Sequence, residues 1–491
     1  MYDKLPQLFH WCDKEKKNYI NGEFLIGKGS SFSCEDPCSE ENISQYNFAS
    51  TEQIDSAVKA AQECFVKLKQ ATRSERNSWM MNIARTIREH TPELAAIEAL
   101  ENGKTYQEAL NDDLPECSTV FEYYGGWIDK IYGETCPTDP GFLNYTVREP
   151  YGVCGLIVPW NYPLLMACWK LAPALALGNT VLVKPSEHTS LSMIRLIELL
   201  DEHCDLPKGL INMILGDGKQ GAHICEHPLI QKVSFTGSTD VGKNIVKASG
   251  KTNLKGVSLE LGGKSPNIFF NDTPDLDSAL TKSFYSMFSH KGEKCTEPTR
   301  FIIHKDIYKH SCEFLAKMAQ EYKLGSQFEK SSQQGAQNNR TQFDKIMGFI
   351  ERADANLIAG GKAAKYVNGG KGYFIEPTIY SDVDPKSELA QKEIFGPVLS
   401  IIPFNTESEA IEIANDSDFG LAAGFWTADS SRVHRVAAQI DAGMVFVNKY
   451  GMYSLGSPFG GFRQSGWGKE MAIHSLDTYS KTKSVWIKYD T

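Results

Sequence analysis

A long stretch without charge constrains the fold of this chain more than any other feature. Residues 150–169 and 171–183 contain no charged side chain. About 20 apolar residues are enough for a helix that crosses a bilayer. However, Pro159 and Pro163 interrupt the first part, and Gly178 is a stop signal for a helix in the second. We therefore expect a buried strand, a turn, a helix and a second buried strand.

The same alternation of strand and helix patterns continues in two regions of the chain. In the first region the expected strands are 153–158, 180–183, 210–215, 232–235 and 257–261, and the expected helices are 164–177, 191–200, 219–225 and 241–248. In the second region the expected strands are 301–304, 398–404, 422–426 and 444–448, and the expected helices are 276–288, 307–322, 407–414 and 431–440. Alternating elements of this kind form parallel sheets covered by helices on both faces. The sequence therefore predicts an α/β fold with a Rossmann-like parallel-sheet domain and a second α/β domain.

Two further segments have the pattern of edge strands. Residues 131–148 contain turn residues followed by an alternating apolar run, which predicts a hairpin, and residues 479–489 are also strand-like. Exposed edge strands can pair with another chain. We therefore expect these segments to contact a second subunit.

The charge balance and the cysteines argue against several classes of protein. The 491 residues carry a net charge of −10, which argues against the basic stripe of a nucleic-acid groove. The twelve cysteines are scattered without the paired spacing of a zinc ribbon or a disulfide scaffold, and thiols suit a reducing compartment. Residues 1–17 lack the apolar core of a signal peptide. We expect a cytoplasmic protein with no metal site and with neither nucleic acid nor membrane as a partner.

Two strand ends have features of a dinucleotide site, and each also has a simpler explanation. Residues 237–242 begin and end with glycine and open a helix, whose N-terminus attracts phosphate. The junction also fits an ordinary turn between a strand and a helix. The usual glycine fingerprint of dinucleotide-binding proteins is missing here. Residues 184–187 (Lys-Pro-Ser-Glu) follow another strand. Glu187 can accept bonds from ribose hydroxyls and would disfavour a 2′-phosphate. Alternatively, Ser186 and Glu187 cap the next helix.

Glu260 and Cys295 are candidates for acid–base and nucleophilic chemistry. Glu260 ends an apolar strand, where loss of solvation would raise its pKa toward that of a general base; alternatively, it faces solvent. Cys295 lies in a polar loop beside Lys291 and Lys294, which favour a reactive thiolate, although a cysteine is more often structural.

Seven segments, in this order along nearly the whole chain, resemble those of the aldehyde dehydrogenase superfamily. They are Pro159-Trp160-Asn161-Tyr162-Pro163, Lys184-Pro185-Ser186-Glu187, Phe235-Thr236-Gly237-Ser238-Thr239, Leu259-Glu260-Leu261-Gly262-Gly263-Lys264-Ser265-Pro266, Gly292-x-x-Cys295, Glu393-Ile394-Phe395-Gly396-Pro397-Val398 and Pro458-Phe459-Gly460-Gly461. The resemblance implies oxidation of an aldehyde to its acid, with NAD, or else NADP, as the hydride acceptor.

The resemblance also implies a role for individual residues. Cys295 would form a thiohemiacetal with the aldehyde, and the Asn161 amide and the Cys295 N–H would bind the oxyanion. Glu260 would activate water as the general base. Lys170 and Glu470 match positions proposed to relay protons to that base. The implied cofactor-binding residues are Ile157, Trp160, Lys184, Ser186, Glu187, Gly237, Ser238, Glu393 and Phe395. The implied residues of the substrate tunnel are Tyr162, Trp169 and Phe459.

Within the superfamily, residues 148–153, 161–166 and 169–170 look most like those of betaine-aldehyde and aminoaldehyde dehydrogenases. Aromatic faces in the tunnel would hold an ammonium group by cation–π attraction. Alternatively, they shape an apolar tunnel for aliphatic aldehydes or semialdehydes. Ser289 stands where some betaine-specific members carry another aromatic residue, which weakens the ammonium interpretation.

The chain departs from the superfamily at Glu293, where glutamine is common. A carboxylate aimed at the thiolate would raise the cysteine pKa and slow its attack. Lys294 would offset this effect, or Glu293 would point to solvent.

Two other hypotheses for the function of the protein are a thioester hydrolase that uses Cys295 and Glu260 without a cofactor, and an inactive structural relative.

The predicted domains follow from the same comparison of segments. Residues 1–130 and 149–262 form the NAD-binding domain, residues 263–465 the catalytic domain, and residues 131–148 and 475–491 a small β oligomerisation element. The resemblance implies a homodimer or homotetramer, and some relatives bind a structural monovalent cation.

Overall fold

The computed structural model describes residues 10–489, in which the first of two large sheets has eight strands. Its five central strands are parallel and its edge strands are antiparallel to their neighbours. In spatial order the strands are Glu23–Leu25, Asn18–Ile20, Ile211–Met213, Thr180–Lys184, Val153–Ile157, Ile230–Thr236, Gly256–Glu260 and Gly466–Trp467. The five central strands confirm the sequence prediction, with small shifts at their ends.

The uncharged stretch forms two strands of this sheet and the helix between them. Strands Val153–Ile157 and Thr180–Lys184 pair in parallel and are entirely buried, as is nearly all of helix Pro163–Ala176. The turn after the helix uses Gly178 at φ +86°, a conformation that a β-carbon disfavours. The lack of charge therefore reflects burial inside the α/β layers. No helix within residues 10–489 is long and apolar enough to cross a membrane.

The second sheet has seven strands, of which six are parallel and the first is antiparallel. In spatial order they are Asn356–Ala359, Thr378–Ser381, Val398–Phe404, Arg300–His304, Pro266–Phe269, Ala422–Trp426 and Met444–Val447. Four of them are predicted from the sequence. The other three are short four-residue strands, one of which, Pro266–Phe269, follows a glycine pair that obscures its pattern. The predicted α/β class is confirmed for both sheets.

The helices pack on both faces of the sheets. In chain order they are Thr51–Leu68, Arg73–Glu89, Thr91–Asn102, Tyr106–Glu108, Leu114–Gly125, Pro163–Ala176, Leu191–His203, Gly218–Glu226, Thr239–Lys251, Leu276–Phe288, Lys305–Glu321, Arg340–Glu351, Glu388–Gln391, Glu407–Asn415, Ser430–Ala437 and His474–Thr478. A π-helical turn, Ala109–Asp113, connects two of them and turns several acidic side chains toward the site described below.

Three small sheets complete the fold. The largest pairs strand Ser480–Lys488 along its full length with Phe142–Pro150, which also pairs with Thr135–Cys136. The predicted edge segments thus pair with each other inside one chain. The two-stranded sheets are Ser31–Asp36 with Glu41–Asn47, and Phe419–Gly420 with Phe462–Arg463. Residues 1–9 and 490–491 lie outside the described residues. The first segment belongs to the predicted NAD-binding domain and to the stretch searched for a signal peptide. The second belongs to the predicted oligomerisation element.

Candidate active site

A cavity of about 510 Å³ opens where strands Ile230–Thr236 and Gly256–Glu260 end. The carboxyl ends of parallel strands are where open α/β sheets bind ligands. The predicted site residues that line this cavity are Trp160, Asn161, Tyr162, Trp169, Gly237, Ser238, Glu260, Cys295, Glu393, Phe395 and Phe459. Those outside its wall are Ile157, Lys170, Lys184, Ser186, Glu187 and Glu470.

Cys295 reaches the cavity from the loop after the tight turn Ser289–Gly292. Three consecutive residues of this turn have positive φ: His290 (+48°), Lys291 (+63°) and Gly292 (+72°). Such a conformation is costly for residues with a β-carbon and persists only where surrounding contacts enforce it. The surroundings therefore fix the position of the half-buried thiol.

The environment of Cys295 favours the thiol over the thiolate. Burial raises its pKa, and three nearby carboxyl groups raise it further: Glu260, Glu393 and Glu297. The prediction that adjacent lysines favour the thiolate is wrong, because both are engaged elsewhere. Lys291 pairs with Glu293, and Lys294 donates to Ser289. The thiol therefore needs a proton acceptor before it can attack a carbonyl.

Glu260 is buried at the cavity wall, with 5% of its surface exposed. Burial raises its pKa well above the ordinary value, and Glu470 raises it further, whereas Lys170 and Lys469 oppose the shift. Its Oε2 atom has no hydrogen-bond partner among the described residues. The prediction of a desolvated carboxyl group is confirmed, and the alternative of a solvent-facing residue is wrong.

Lys170 and Glu470 form a buried ion pair behind Glu260. The Lys170 Nζ lies 2.6 Å from Glu470 Oε1, and the side chains are 1% and 4% exposed. The Ser234 hydroxyl also donates to Glu470 at 3.4 Å. These two residues lie outside the cavity wall, and their charges affect the pKa of Glu260.

Asn161 begins the turn before helix Pro163–Ala176 and points toward the Cys295 loop. Its Nδ2 donates to the Glu293 backbone carbonyl at 2.8 Å. A side-chain amide has two N–H groups, so one remains for a ligand in the cavity.

Glu293 does not behave as either sequence-based alternative expects. It is 1% exposed rather than directed to solvent, and its partner is Lys291, at 2.8 Å, rather than Lys294. Its other carboxylate oxygen accepts from the Asn338 backbone N–H at 3.1 Å. The carboxylate is thus fixed in a polar network away from the sulfur.

One end of the cavity has groups that fit a nicotinamide dinucleotide. Glu393 accepts from the Gly263 N–H at 2.9 Å, and a β-carbon on Gly262 would lie 2.4 Å from its other carboxylate oxygen. Trp160 and Phe395 meet edge to face with ring centroids 5.3 Å apart. Helix Thr239–Lys251 starts at Ser238 on the cavity wall and offers its N-terminal N–H groups to a phosphate. The Glu393 carboxylate can bind a ribose, and the two aromatic rings can enclose a flat ring.

The Lys-Pro-Ser-Glu segment lies at the end of strand Thr180–Lys184, which is separated from Ile230–Thr236 by one strand. The Lys184 Nζ is buried and lies 3.8 Å from Glu187 Oε2. Ser186 accepts from the His188 N–H at 3.4 Å and caps the short turn Glu187–Thr189. The capping alternative therefore holds for Ser186, although it caps this turn rather than the helix beyond it. Ile157 ends the strand next to Lys184.

Aromatic rings line the other end of the cavity. Trp169 and Phe459 meet edge to face at 5.1 Å, and Tyr453 lies 5.8 Å from Phe459. Tyr162 packs against His290 at 4.5 Å. This end is therefore an aromatic tunnel that leads to the thiol.

Sequence reasoning missed the acidic side chains of the tunnel. The cavity wall includes the carboxyl groups of Glu108, Asp112, Asp113 and Glu116. They come from the π-helical turn and the helices that flank it, and such turns have no simple sequence pattern. The cluster of acids in residues 108–116 was the visible signal. Tyr453 was also missed; its hydroxyl donates to Thr296, the residue after Cys295, at 2.8 Å.

Comparisons with known proteins agree over nearly the whole chain. A family model described as the aldehyde dehydrogenase family matches residues 25–485. An aldehyde dehydrogenase of Emericella nidulans is 42% identical over 473 residues, covering 95% of this chain and 94% of that protein. Retinal dehydrogenase 2 of Homo sapiens is 41% identical over 483 residues, covering 97% and 92%.

A solved structure supports the same conclusion. The NAD+ complex of an aldehyde dehydrogenase from Bacillus cereus superposes with a TM-score of 0.96 at 40% identity, covering 99% of each chain. The chain belongs to the aldehyde dehydrogenase family and is an NAD(P)-dependent aldehyde dehydrogenase.

Proposed function

We propose that this enzyme oxidises its aldehyde through a covalent intermediate on Cys295, assisted by Asn161 and Glu260. The observation that carries the proposal is that these three side chains line one cavity. Glu260, whose pKa is raised and whose Oε2 has no partner among the described residues, is suited to accept the thiol proton.

The reaction then follows from the donors and acceptors in the cavity. The Cys295 sulfur attacks the carbonyl carbon, and the new oxyanion accepts bonds from the Asn161 amide and the Cys295 N–H. A bound dinucleotide would supply the hydride acceptor. When the thiohemiacetal carbon loses its hydride and the carbonyl re-forms, a thioester remains on Cys295. Once Glu260 has released the thiol proton to solvent, it takes a proton from water and the water oxygen attacks the thioester carbon. The carbon–sulfur bond then breaks to release the acid, and the proton on Glu260 passes to the leaving sulfur. Lys170 and Glu470 adjust the protonation of Glu260 from behind.

For the cofactor we assign Glu393 to the nicotinamide ribose, Phe395 to the ring and Ser238 to the pyrophosphate. Lys184 and Glu187 bind the adenosine ribose. A carboxylate at Glu187 would repel a 2′-phosphate, so NAD is preferred over NADP.

We propose aldehydes with a distal ammonium group, such as aminoaldehydes or betaine aldehyde, as the substrate class. Support comes from the tunnel, where the aromatic rings and the carboxyl groups of Glu108, Asp112 and Glu116 can attract a cation. The test compares an ω-aminoaldehyde with an unsubstituted aldehyde of equal length. We expect Asp112→Asn to raise KM for the aminoaldehyde alone, whereas equal effects on both would support an aliphatic substrate. The remote exposed variant Asp344→Asn serves as the control.

The catalytic proposal is tested by Cys295→Ala, with Cys312→Ala as a matched half-buried control. We expect the first to abolish aldehyde-dependent absorbance of reduced cofactor and the second to leave it unchanged. Unchanged turnover in Cys295→Ala would end the proposed mechanism. A cofactor-independent hydrolase would produce no reduced cofactor in any of these proteins.

We also propose a homodimer or homotetramer that uses the small sheet of Ser480–Lys488 and Phe142–Pro150. Its support is the exposure of large apolar side chains on these strands, namely Phe142, Leu143, Trp486 and Ile487. Light scattering should show an oligomer that Trp486→Lys weakens.

A further inference from the structure

A buried ion pair, Lys291 with Glu293, lies directly behind the oxyanion donor. We propose that these two residues act together as a positioning pair that fixes Asn161, an inference that rests on the proposed role of Asn161. Neither residue lines the cavity, so any effect on the reaction must pass through other side chains.

The charged atoms of the pair lie close together inside the protein. The Lys291 Nζ lies 2.8 Å from Glu293 Oε2, and each side chain is 1% exposed. The same ammonium donates to the Asn102 carbonyl at 2.8 Å and to Asn102 Oδ1 at 2.9 Å. The second Glu293 oxygen accepts from the Asn338 N–H. Removing either charge would therefore leave its partner buried without an opposite charge.

Two routes connect the pair to Asn161. The first is direct, because the Glu293 carbonyl accepts the Asn161 Nδ2–H at 2.8 Å. The second passes through Asn102, which Lys291 holds by two bonds. Asn102 Nδ2 donates to the Trp160 carbonyl at 2.8 Å and to the Asn161 carbonyl at 3.4 Å. Both the side chain and the backbone of Asn161 are thus tied to the pair.

The turn Ser289–Gly292, to which Lys291 belongs, has a backbone that only strong surrounding contacts can maintain. His290, Lys291 and Gly292 all have positive φ, and a β-carbon on Gly292 would lie 2.4 Å from the Gly396 carbonyl carbon. A backbone of this kind relaxes when its contacts weaken. Relaxation would displace the Glu293 carbonyl and, with it, the Asn161 amide.

The test uses Lys291→Gln, Glu293→Gln and the double variant, in which both charges are replaced by amides. We expect each single variant to lose about tenfold or more in kcat, since a displacement near 1 Å can cost about a hundredfold. The double variant should recover most of that loss, and KM for NAD should change little. In an Asn161→Ala background, Glu293→Gln should add little further loss.

Controls separate positioning from simple destabilisation. Asp272→Asn removes one of the two carboxylate partners of Arg432, 2.7 Å away in the second α/β region and off the cavity wall. It should lower Tm without changing kcat. If Lys291→Gln and Glu293→Gln also lower Tm but keep kcat, the positioning inference is wrong while the proposed function stands. If Asn161→Ala keeps full kcat, the proposed oxyanion role fails first.

Should a single variant not fold, Lys291→Arg and the double variant still decide the matter. Both keep the charge balance of the network, so kcat should stay within about threefold of wild type. A loss of tenfold in either folded variant would overturn the coupling between the two residues.

Discussion

Two buried glutamates near Cys295, Glu260 and Glu293, have different surroundings and, in the proposed mechanism, different functions. Glu260 lies on the cavity wall, and its pKa is raised well above the ordinary value. Glu293 is equally buried but lies behind the loop, 2.8 Å from the Lys291 ammonium. Burial alone therefore does not make a general base. A base must also lie on the wall of the cavity where the reaction takes place, as Glu260 does and Glu293 does not.

The largest expected effect comes from Glu260→Gln. The glutamine cannot take a proton, so we expect kcat to fall by about 10²–10⁴. Wild-type activity should rise with pH through the raised pKa of Glu260, because only the ionised carboxylate accepts a proton. The variant should lose this rising limb, and a retained limb would show that another group is the base.

Glu293→Gln should affect stability more than any change at Glu260. It leaves the Lys291 ammonium buried without its partner, which costs about 3–5 kcal/mol in the free energy of unfolding. Glu260→Gln removes no ion pair and should leave that free energy nearly unchanged. Denaturant titration of the two variants measures the difference, and equal stability would contradict the contrast.

The smallest expected effect is a shift in the pKa of Glu260 when the charge of Lys170 or Glu470 is removed. Lys170 lowers the pKa of Glu260 and Glu470 raises it. Lys170→Met should therefore move the rising limb of the pH profile to higher pH, and Glu470→Gln should move it to lower pH. The pH dependence of kcat checks both directions. Movement of both variants in the same direction would count against this electrostatic account.

Much of the fold could be predicted because its signals are local. The five parallel strands of the first sheet are short apolar runs bounded by glycine or proline, and burial between layers produces that pattern. Strands at the edges, such as Gly466–Trp467, are too short to carry one. Their pairing depends on contacts distant in sequence.

The residues of the site also fall into two groups, those that the sequence predicts and those that depend on contacts distant in sequence. Cys295, Asn161 and Glu260 follow from ordered segments in the sequence, and the cavity brings them together. The partner of Glu293 could not be predicted, because Lys291 and Lys294 both lie within two residues of it in the sequence. Three successive residues with positive φ direct Lys291 inward to Asn102. The acids of the tunnel depend on a π-helical turn that local composition does not encode.

The most direct test of the account is the mass of Glu260→Gln after mixing with aldehyde and NAD. At alkaline pH, where hydroxide can remove the thiol proton in place of Glu260, the thioester should accumulate if Glu260 activates water, and peptide mass spectrometry should find one acyl group on Cys295 per chain. A single turnover of reduced cofactor should accompany it. An unmodified Cys295 in a variant that still forms reduced cofactor would contradict the covalent mechanism.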